Sequence, residues 1–185
     1  MTSEPLWVFG YGSVIWRPAF PFVDAAPARL NGFVRRFWQG SPDHRGTPER
    51  PGRVVTLVAQ EQGWCEGRVF QVEAARRDEV LSLLDIRESG GYERAWLEVH
   101  LGLEERTLTA LTYIAPASNV NFLGEATLDM MAEQIWKASG ESGENREYVL
   151  ELDRALRSLD IHDAHVEQLA GALREKARPR SMGRG

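Results

Sequence analysis

The 185-residue chain has a single cysteine, Cys65, and only two lysines, Lys137 and Lys176, among its 22 basic residues. A lone cysteine excludes an internal disulfide and any zinc site built on cysteine pairs. No apolar run approaches the ~20 residues needed to span a bilayer, and the N-terminus lacks the pattern of a secretion signal. These absences set the expectation of a cytoplasmic protein with no membrane contact. The net charge of −5 leaves no basic surplus for a phosphate backbone, so nucleic acid is not an expected partner. His44, His100, His162 and His165 form no HExxH or other compact ligand pattern. Ser13 lacks a GxSxG elbow, and Gly10-Tyr11-Gly12 does not complete a GxGxxG fingerprint. Neither a metal site nor a dinucleotide site is expected from these patterns.

The chain is 43% hydrophobic and 26% charged, which is ordinary for a globular domain with a proper core. Residues 1–175 read as one domain, and the basic segment 176–185, without apolar anchors, as a disordered tail. The first two thirds carry β-type runs at 6–9, 28–38, 54–59, 66–72, 93–100 and 107–114, rich in Val, Phe, Trp and Thr. Partial alternation in Val69-Phe70-Gln71-Val72 suits a sheet buried on one side or closed into a barrel. Residues 74–85 interrupt this series with Val80, Leu81 and Leu84 at helical spacing. From 125 onward the period is helical. One helix closes at Gly140, a second covers 144–159, and a third takes Asp160 as its cap. The polar stretch 42–51 reads as a loop bordering a site. Cys65 directly precedes the β-type run at 66–72 and reads as a small buried residue of that strand. His162 and His165, near a helix start, are expected to be exposed.

Three segments concentrate residues suited to chemistry. In Trp7-Val8-Phe9-Gly10-Tyr11-Gly12-Ser13-Val14 a buried-strand pattern breaks at two glycines. Such a break permits positive φ and brings N–H groups close to a ligand, or simply makes a tight turn. Asp85-Ile86-Arg87-Glu88-Ser89-Gly90-Gly91-Tyr92 follows a helix and precedes a strand. Glu88 there is either aimed into a cavity, where burial raises its pKa toward proton-transfer duty, or paired with Arg87 in a solvated turn. Ser142-Gly143-Glu144-Asn145-Arg146-Glu147-Tyr148 is a helix junction. It either presents Asn145, Glu147 or Tyr148 to a ligand or serves as a cap.

These segments, with Arg35-Arg36-Phe37-Trp38-Gln39-Gly40-Ser41, Asp43-His44-Arg45-Gly46-Thr47-Pro48-Glu49 and Pro51-Gly52-Arg53-Val54-Val55-Thr56-Leu57, occur in order over residues 7–152. In this the chain resembles the ChaC-type γ-glutamylcyclotransferases, which degrade glutathione. Two positions depart from the family pattern. Val14 replaces the usual leucine and slightly widens a pocket, and Ser89 replaces the usual lysine and removes a charge near Glu88. The resemblance implies an α+β fold, a small mixed β-barrel with packed helices and the site at its mouth. It implies a small-molecule substrate, glutathione or another γ-glutamyl peptide, cyclised to 5-oxoproline with no cofactor. By matching motif, Glu88 is the catalytic acid and base, and Gly10, Tyr11, Gly12, Ser13 and Val14 hold the γ-glutamyl group. Arg45 and Tyr148 orient the substrate. Other readings are a γ-glutamyl-binding protein without turnover, or a same-fold enzyme for another γ-glutamyl amine. A protein-interaction face of Arg35, Arg36 and Trp38 is a further alternative, and it requires those side chains to be exposed together.

Overall fold

The computed structural model describes residues 4–102 and 106–178. Five strands form a closed barrel: β1 (Leu6–Gly10), β2 (Asp24–Ser41), β3 (Gly52–Val72), β4 (Glu93–Leu101) and β5 (Arg106–Ile114). The order around the barrel is β1-β3-β2-β4-β5. β1 runs antiparallel to β3 and closes against β5 in parallel at Val8 and Leu111, so the barrel is mixed. Its apolar residues make this closure favourable. Leu6, Val8 and Phe9 of β1 and Val69, Phe70 and Val72 of β3 are all buried, each such side chain contributing about 1.5–3 kcal/mol.

β2 and β3 make one long hairpin. The sequence splits β3 into 54–59 and 66–72 because Gln60, Glu61 and Gln62 are polar and exposed. The strand nevertheless continues through them. The pairing jumps from Phe33↔Ala59 to Asn31↔Trp64 around Gly32, whose φ is +80°. A bulge therefore absorbs the polar segment.

Among the described residues four α-helices follow or interrupt the strands: α1 (Arg77–Arg87), α2 (Leu128–Lys137), α3 (Asn145–Ser158) and α4 (Ala164–Ala177). α2, α3 and α4 cover one side of the barrel. Ile135, Val149, Leu152 and Leu169 join Phe37, Val55 and Leu57 in the main core. α1 rests on a smaller cluster through Val80 and Leu84, against Leu6, Phe70 and Leu111.

Several local expectations change. α2 ends at Lys137, and Gly140 lies instead in a short strand, β6 (Ser139–Gly140), paired with β7 (Gly143–Glu144). A side chain at Gly140 would sit 2.1 Å from the Asp43 carbonyl oxygen, so this glycine permits close passage of the 42–51 loop. α4 is capped by Asp163 rather than Asp160, its carboxylate accepting from the His165 and Val166 N–H groups. His165 is not exposed. It accepts a hydrogen bond from the Phe37 N–H, and burial followed by the Arg36 charge lowers its pKa to about 4. α4 continues through Ala177, and residues 179–185 of the expected tail lie outside the described residues.

The interaction face fails on Arg35, which is 1% exposed. Its guanidinium donates to the Tyr11 carbonyl at 2.6 Å, to Asp163 at 2.6 Å and to the Glu66 carbonyl. Arg35 ties the end of β1 to β3 and to the start of α4, so it is not exposed together with Arg36 and Trp38.

Candidate active site

β1 ends at Gly10, and after Tyr11 and Gly12 the chain makes one 3₁₀ turn, Ser13–Ile15. The expectation of positive φ at Gly10 and Gly12 does not hold, since neither is among the positive-φ glycines. Crowding explains them instead. A Cβ on Gly10 would lie 2.8 Å from Val14 Cγ1, and one on Gly12 would lie 2.9 Å from Val55 Cγ2 and 3.0 Å from the Tyr148 hydroxyl. The glycines let this loop lie flat against β3 and α3.

That loop forms one wall of a cavity of about 500 Å³, a size suited to a small ligand. The 42–51 loop, the end of α1 and the start of α3 supply the other walls. Gly10, Tyr11, Gly12, Ser13, Val14, Arg45, Glu88 and Tyr148 all line it. Asn145 and Glu147 do not. Asn145 is fully buried and clasps the backbone of Arg53 with both ends of its amide. Glu147 sits 3.6 Å from Arg45.

Glu88 caps the C-terminus of α1, and its backbone N–H donates to the Leu84 carbonyl. Its side chain is 18% exposed. Burial raises the carboxyl pKa above its ordinary 4.5, while the charges of Arg87 and then His44 oppose the rise. Asp85, three residues earlier, turns the other way. Its side chain is 47% exposed and engages Arg94 and the Tyr113 hydroxyl, which hold its pKa down. One helix end thus carries two carboxylates of opposite tendency.

Arg87 fixes that helix end. One of its terminal nitrogens donates to the Arg17 and Pro18 carbonyls at 2.7 and 2.9 Å, and the other donates to Ser13 Oγ at 2.8 Å. Its Nε lies 3.4 Å from Glu88 Oε1. The Ser13 hydroxyl therefore serves as an acceptor that joins the glycine loop to α1. Sequence reasoning gave Arg87 no such task, because its partners stand about seventy positions away. Tyr92 likewise carries no local signal of its place. It lines the cavity and donates from its hydroxyl to the Val55 carbonyl at 2.7 Å.

Two tyrosines and an arginine complete the walls. Tyr11 donates its hydroxyl to the Tyr113 carbonyl at 2.6 Å. Tyr148 packs edge-on against Trp16 and Phe37, and burial pushes its phenol up to about 12. Both therefore remain neutral hydroxyls at physiological pH. Arg45 donates to the Glu144 carbonyl at 3.0 Å, with its guanidinium 5.8 Å from the Tyr148 ring centre. Cys65 lies apart from the cavity lining, with its thiol pushed up to about 11 by burial. Among the described residues no three His, Cys, Asp or Glu side chains group as metal ligands, and no helix is long and apolar enough to cross a membrane.

The chain matches the model of the ChaC-like protein family over residues 6–176. It is 42% identical to γ-glutamylcyclotransferase 2-3 of Arabidopsis thaliana, covering 91% of this chain and 88% of that protein. It is 40% identical to glutathione-specific γ-glutamylcyclotransferase 1 of Homo sapiens, covering 92% and 79%. Among solved structures, the selenomethionine-labelled γ-glutamyl cyclotransferase specific to glutathione from yeast superposes with a TM-score of 0.87. The identity is 30%, over 93% of this chain and 96% of that one.

Proposed function

The chain belongs to the ChaC-like family, and on that premise we propose that it is a glutathione-specific γ-glutamylcyclotransferase using Glu88 as acid and base. Glutathione is converted to 5-oxoproline and Cys-Gly. The α-amine of the γ-glutamyl group attacks its own γ-carbonyl carbon, and the bond from that carbon to the cysteinyl nitrogen breaks. Nucleophile and electrophile belong to one molecule, so the protein need only fold the substrate and move protons. Glu88 accepts a proton from the α-ammonium as the nitrogen attacks, then delivers one to the departing nitrogen. A carboxyl with a raised pKa is suited to both directions of transfer. Backbone N–H groups of residues 10–14 hold the γ-glutamyl moiety and the developing oxyanion, while Tyr11, Arg45 and Tyr148 orient it. The reaction needs no metal or nucleotide. We place it in the cytoplasm, where glutathione is held reduced.

The observation that carries this reading is the pairing of a secluded Glu88 carboxyl with the 10–14 loop across one cavity, locked by the Arg87–Ser13 bond. Purified protein incubated with glutathione, and with other γ-glutamyl peptides, is expected to release 5-oxoproline fastest from glutathione. Binding of glutathione without release would instead make it a non-catalytic binder. Faster release from another γ-glutamyl amine would replace the substrate but not the chemistry. Activity abolished by a chelator and restored by a divalent cation would overturn the metal-free mechanism.

A further inference from the structure

Resting on the glutathione reading, we infer that Arg17 binds the glycyl carboxylate at the far end of the leaving dipeptide and so sets the preference for a substrate ending in a free acid. Among the described residues three arginines line the cavity: Arg17, Arg45 and Arg87. Two are already engaged by the protein. Arg45 donates to the Glu144 carbonyl and faces Glu147. Arg87 is occupied by the Arg17 and Pro18 carbonyls, Ser13 Oγ and Glu88. Arg17 is exposed and lines the mouth, and its guanidinium has no hydrogen-bond or ion-pair partner among the described residues.

The position of Arg17 is also fixed relative to the reaction centre. Its carbonyl oxygen accepts from Arg87 at 2.7 Å, and Arg87 in turn lies 3.4 Å from the Glu88 carboxylate. The Arg17 backbone is thus anchored one guanidinium away from the proton carrier, while its side chain is free to extend outward. In glutathione the glycyl carboxylate lies two residues beyond the bond that breaks, about 7 Å of extended chain. With the γ-glutamyl group against residues 10–14, that distance carries the carboxylate from Glu88 toward the mouth. Leu83 and Ile86 line the same opening and are exposed, giving an apolar flank for the cysteinyl side chain on its way out.

Electrostatics favours an anion at this point. Burial pulls the pKa of Arg45 and of Arg87 down, and the charge of Arg17 acts in the same direction on both. Arg45 and Arg87 have carboxylate partners and Arg17 has none among the described residues, so a substrate carboxylate at the mouth offsets the charge that Arg17 adds. A guanidinium matched to a carboxylate in a fork gives a directional, charge-assisted contact that an amide cannot reproduce.

The test measures kcat and KM for 5-oxoproline release from glutathione and from its glycine amide, in the parent protein and in Arg17→Gln and Arg17→Lys. The parent is expected to show a KM about 10- to 100-fold lower for the acid than for the amide. In Arg17→Gln that ratio should fall to about one, through a rise in the KM for glutathione, and Arg17→Lys should retain an intermediate ratio. Equal KM values in the parent, or an undiminished ratio in Arg17→Gln, would overturn the inference. Release from either peptide upholds the cyclotransferase reading whatever the ratio. If neither peptide is turned over, that reading falls. The same ratio, read as calorimetric Kd values for the two peptides, then decides the role of Arg17.

Discussion

α1 carries Glu88 to the cavity at its C-terminal end and α3 carries Tyr148, and the two are held by different means. α3 buries Tyr148, Val149, Leu152, Ala155 and Leu156, so Tyr148 is placed by the main core. α1 buries only Val80 and Leu84 and leaves Leu83 and Ile86 exposed. Glu88 at its end is placed by the polar contacts of Arg87 instead. Hydrophobic burial is strong but not directional, whereas hydrogen bonds are modest in net energy and sharply directional. In the proposed mechanism Tyr148 only orients the substrate, which the first allows. The carboxyl proposed to meet two different nitrogens in succession needs the second.

The largest expected effect comes from removing the proton carrier. Glu88→Gln keeps the shape of the side chain but cannot shuttle a proton, and kcat should fall about 10²–10⁴-fold with glutathione still bound. Asp85→Asn, which alters an exposed pair with Arg94, should change kcat by less than about threefold. The sign of the stability effect is a separate check. Because the folded-state pKa of Glu88 is raised, the native protein holds that proton more tightly than the unfolded chain does. Its contribution favours folding below the unfolded pKa and is lost as pH rises through the folded one. Glu88→Gln should therefore raise Tm at about pH 7.5 and leave it nearly unchanged at about pH 4. A variant both inactive and less stable at neutral pH would show that Glu88 serves the fold.

Leu152→Ala probes the other helix. Deleting a fully buried side chain under Tyr148 should cost about 2–5 kcal/mol, seen as a lower denaturation midpoint. Molecules still folded should lose far less in kcat than Glu88→Gln molecules do. Arg87 should give the reverse pattern. Arg87→Lys keeps the charge but loses the fork, and kcat should fall about tenfold with little change in Tm. Its pH profile separates placement from charge. The acid limb of kcat should already lie above the ordinary 4.5 of a glutamate, since burial raises Glu88 and activity needs the carboxylate. Arg87 opposes that rise, so Arg87→Gln should move the limb further up while Arg87→Lys leaves it in place. Equal limbs in the two variants would remove the electrostatic part of the argument.

The same division explains what the sequence revealed. Barrel strands and the inward faces of α2 to α4 were legible because burial leaves a periodic apolar pattern, as at Val149, Leu152 and Leu156. The glycines of the 10–14 loop were found for the wrong local reason. Composition marks Gly10 and Gly12, but only the packed neighbours Val14, Val55 and Tyr148 show that space rather than positive φ demands them. The pattern of β3 breaks at Gln60, Glu61 and Gln62 because these polar residues form the bulge opposite Gly32 and so carry no strand signature. Asp160 and Asp163 carry the same chemical signal for a cap, and the ion pair with Arg35 selects the second. Arg87 was illegible in its role, since a clamp onto Ser13, Arg17 and Pro18 is set by chain topology and leaves no local trace.

The smallest expected effect is at Cys65, and it tests whether the cavity really works without a protein nucleophile. Cys65 pairs with Leu30 in the β2–β3 hairpin, is 2% exposed, and has its thiol raised to about 11 by burial, so it carries almost no thiolate. In the cyclisation the substrate's own amine does the attacking, which leaves a cysteine nothing to do. Cys65→Ala removes one sulfur from a packed site and should cost about 1 kcal/mol of stability. Its kcat and KM for glutathione should stay within about twofold of the parent, and its pH profile should be superimposable. A folded, soluble Cys65→Ala protein that released no 5-oxoproline would mean that the thiol takes part in turnover. Glu88 acting on the α-amine alone would then not account for the reaction, and the division between a core-held wall and a clamp-held proton carrier would lose its chemical meaning.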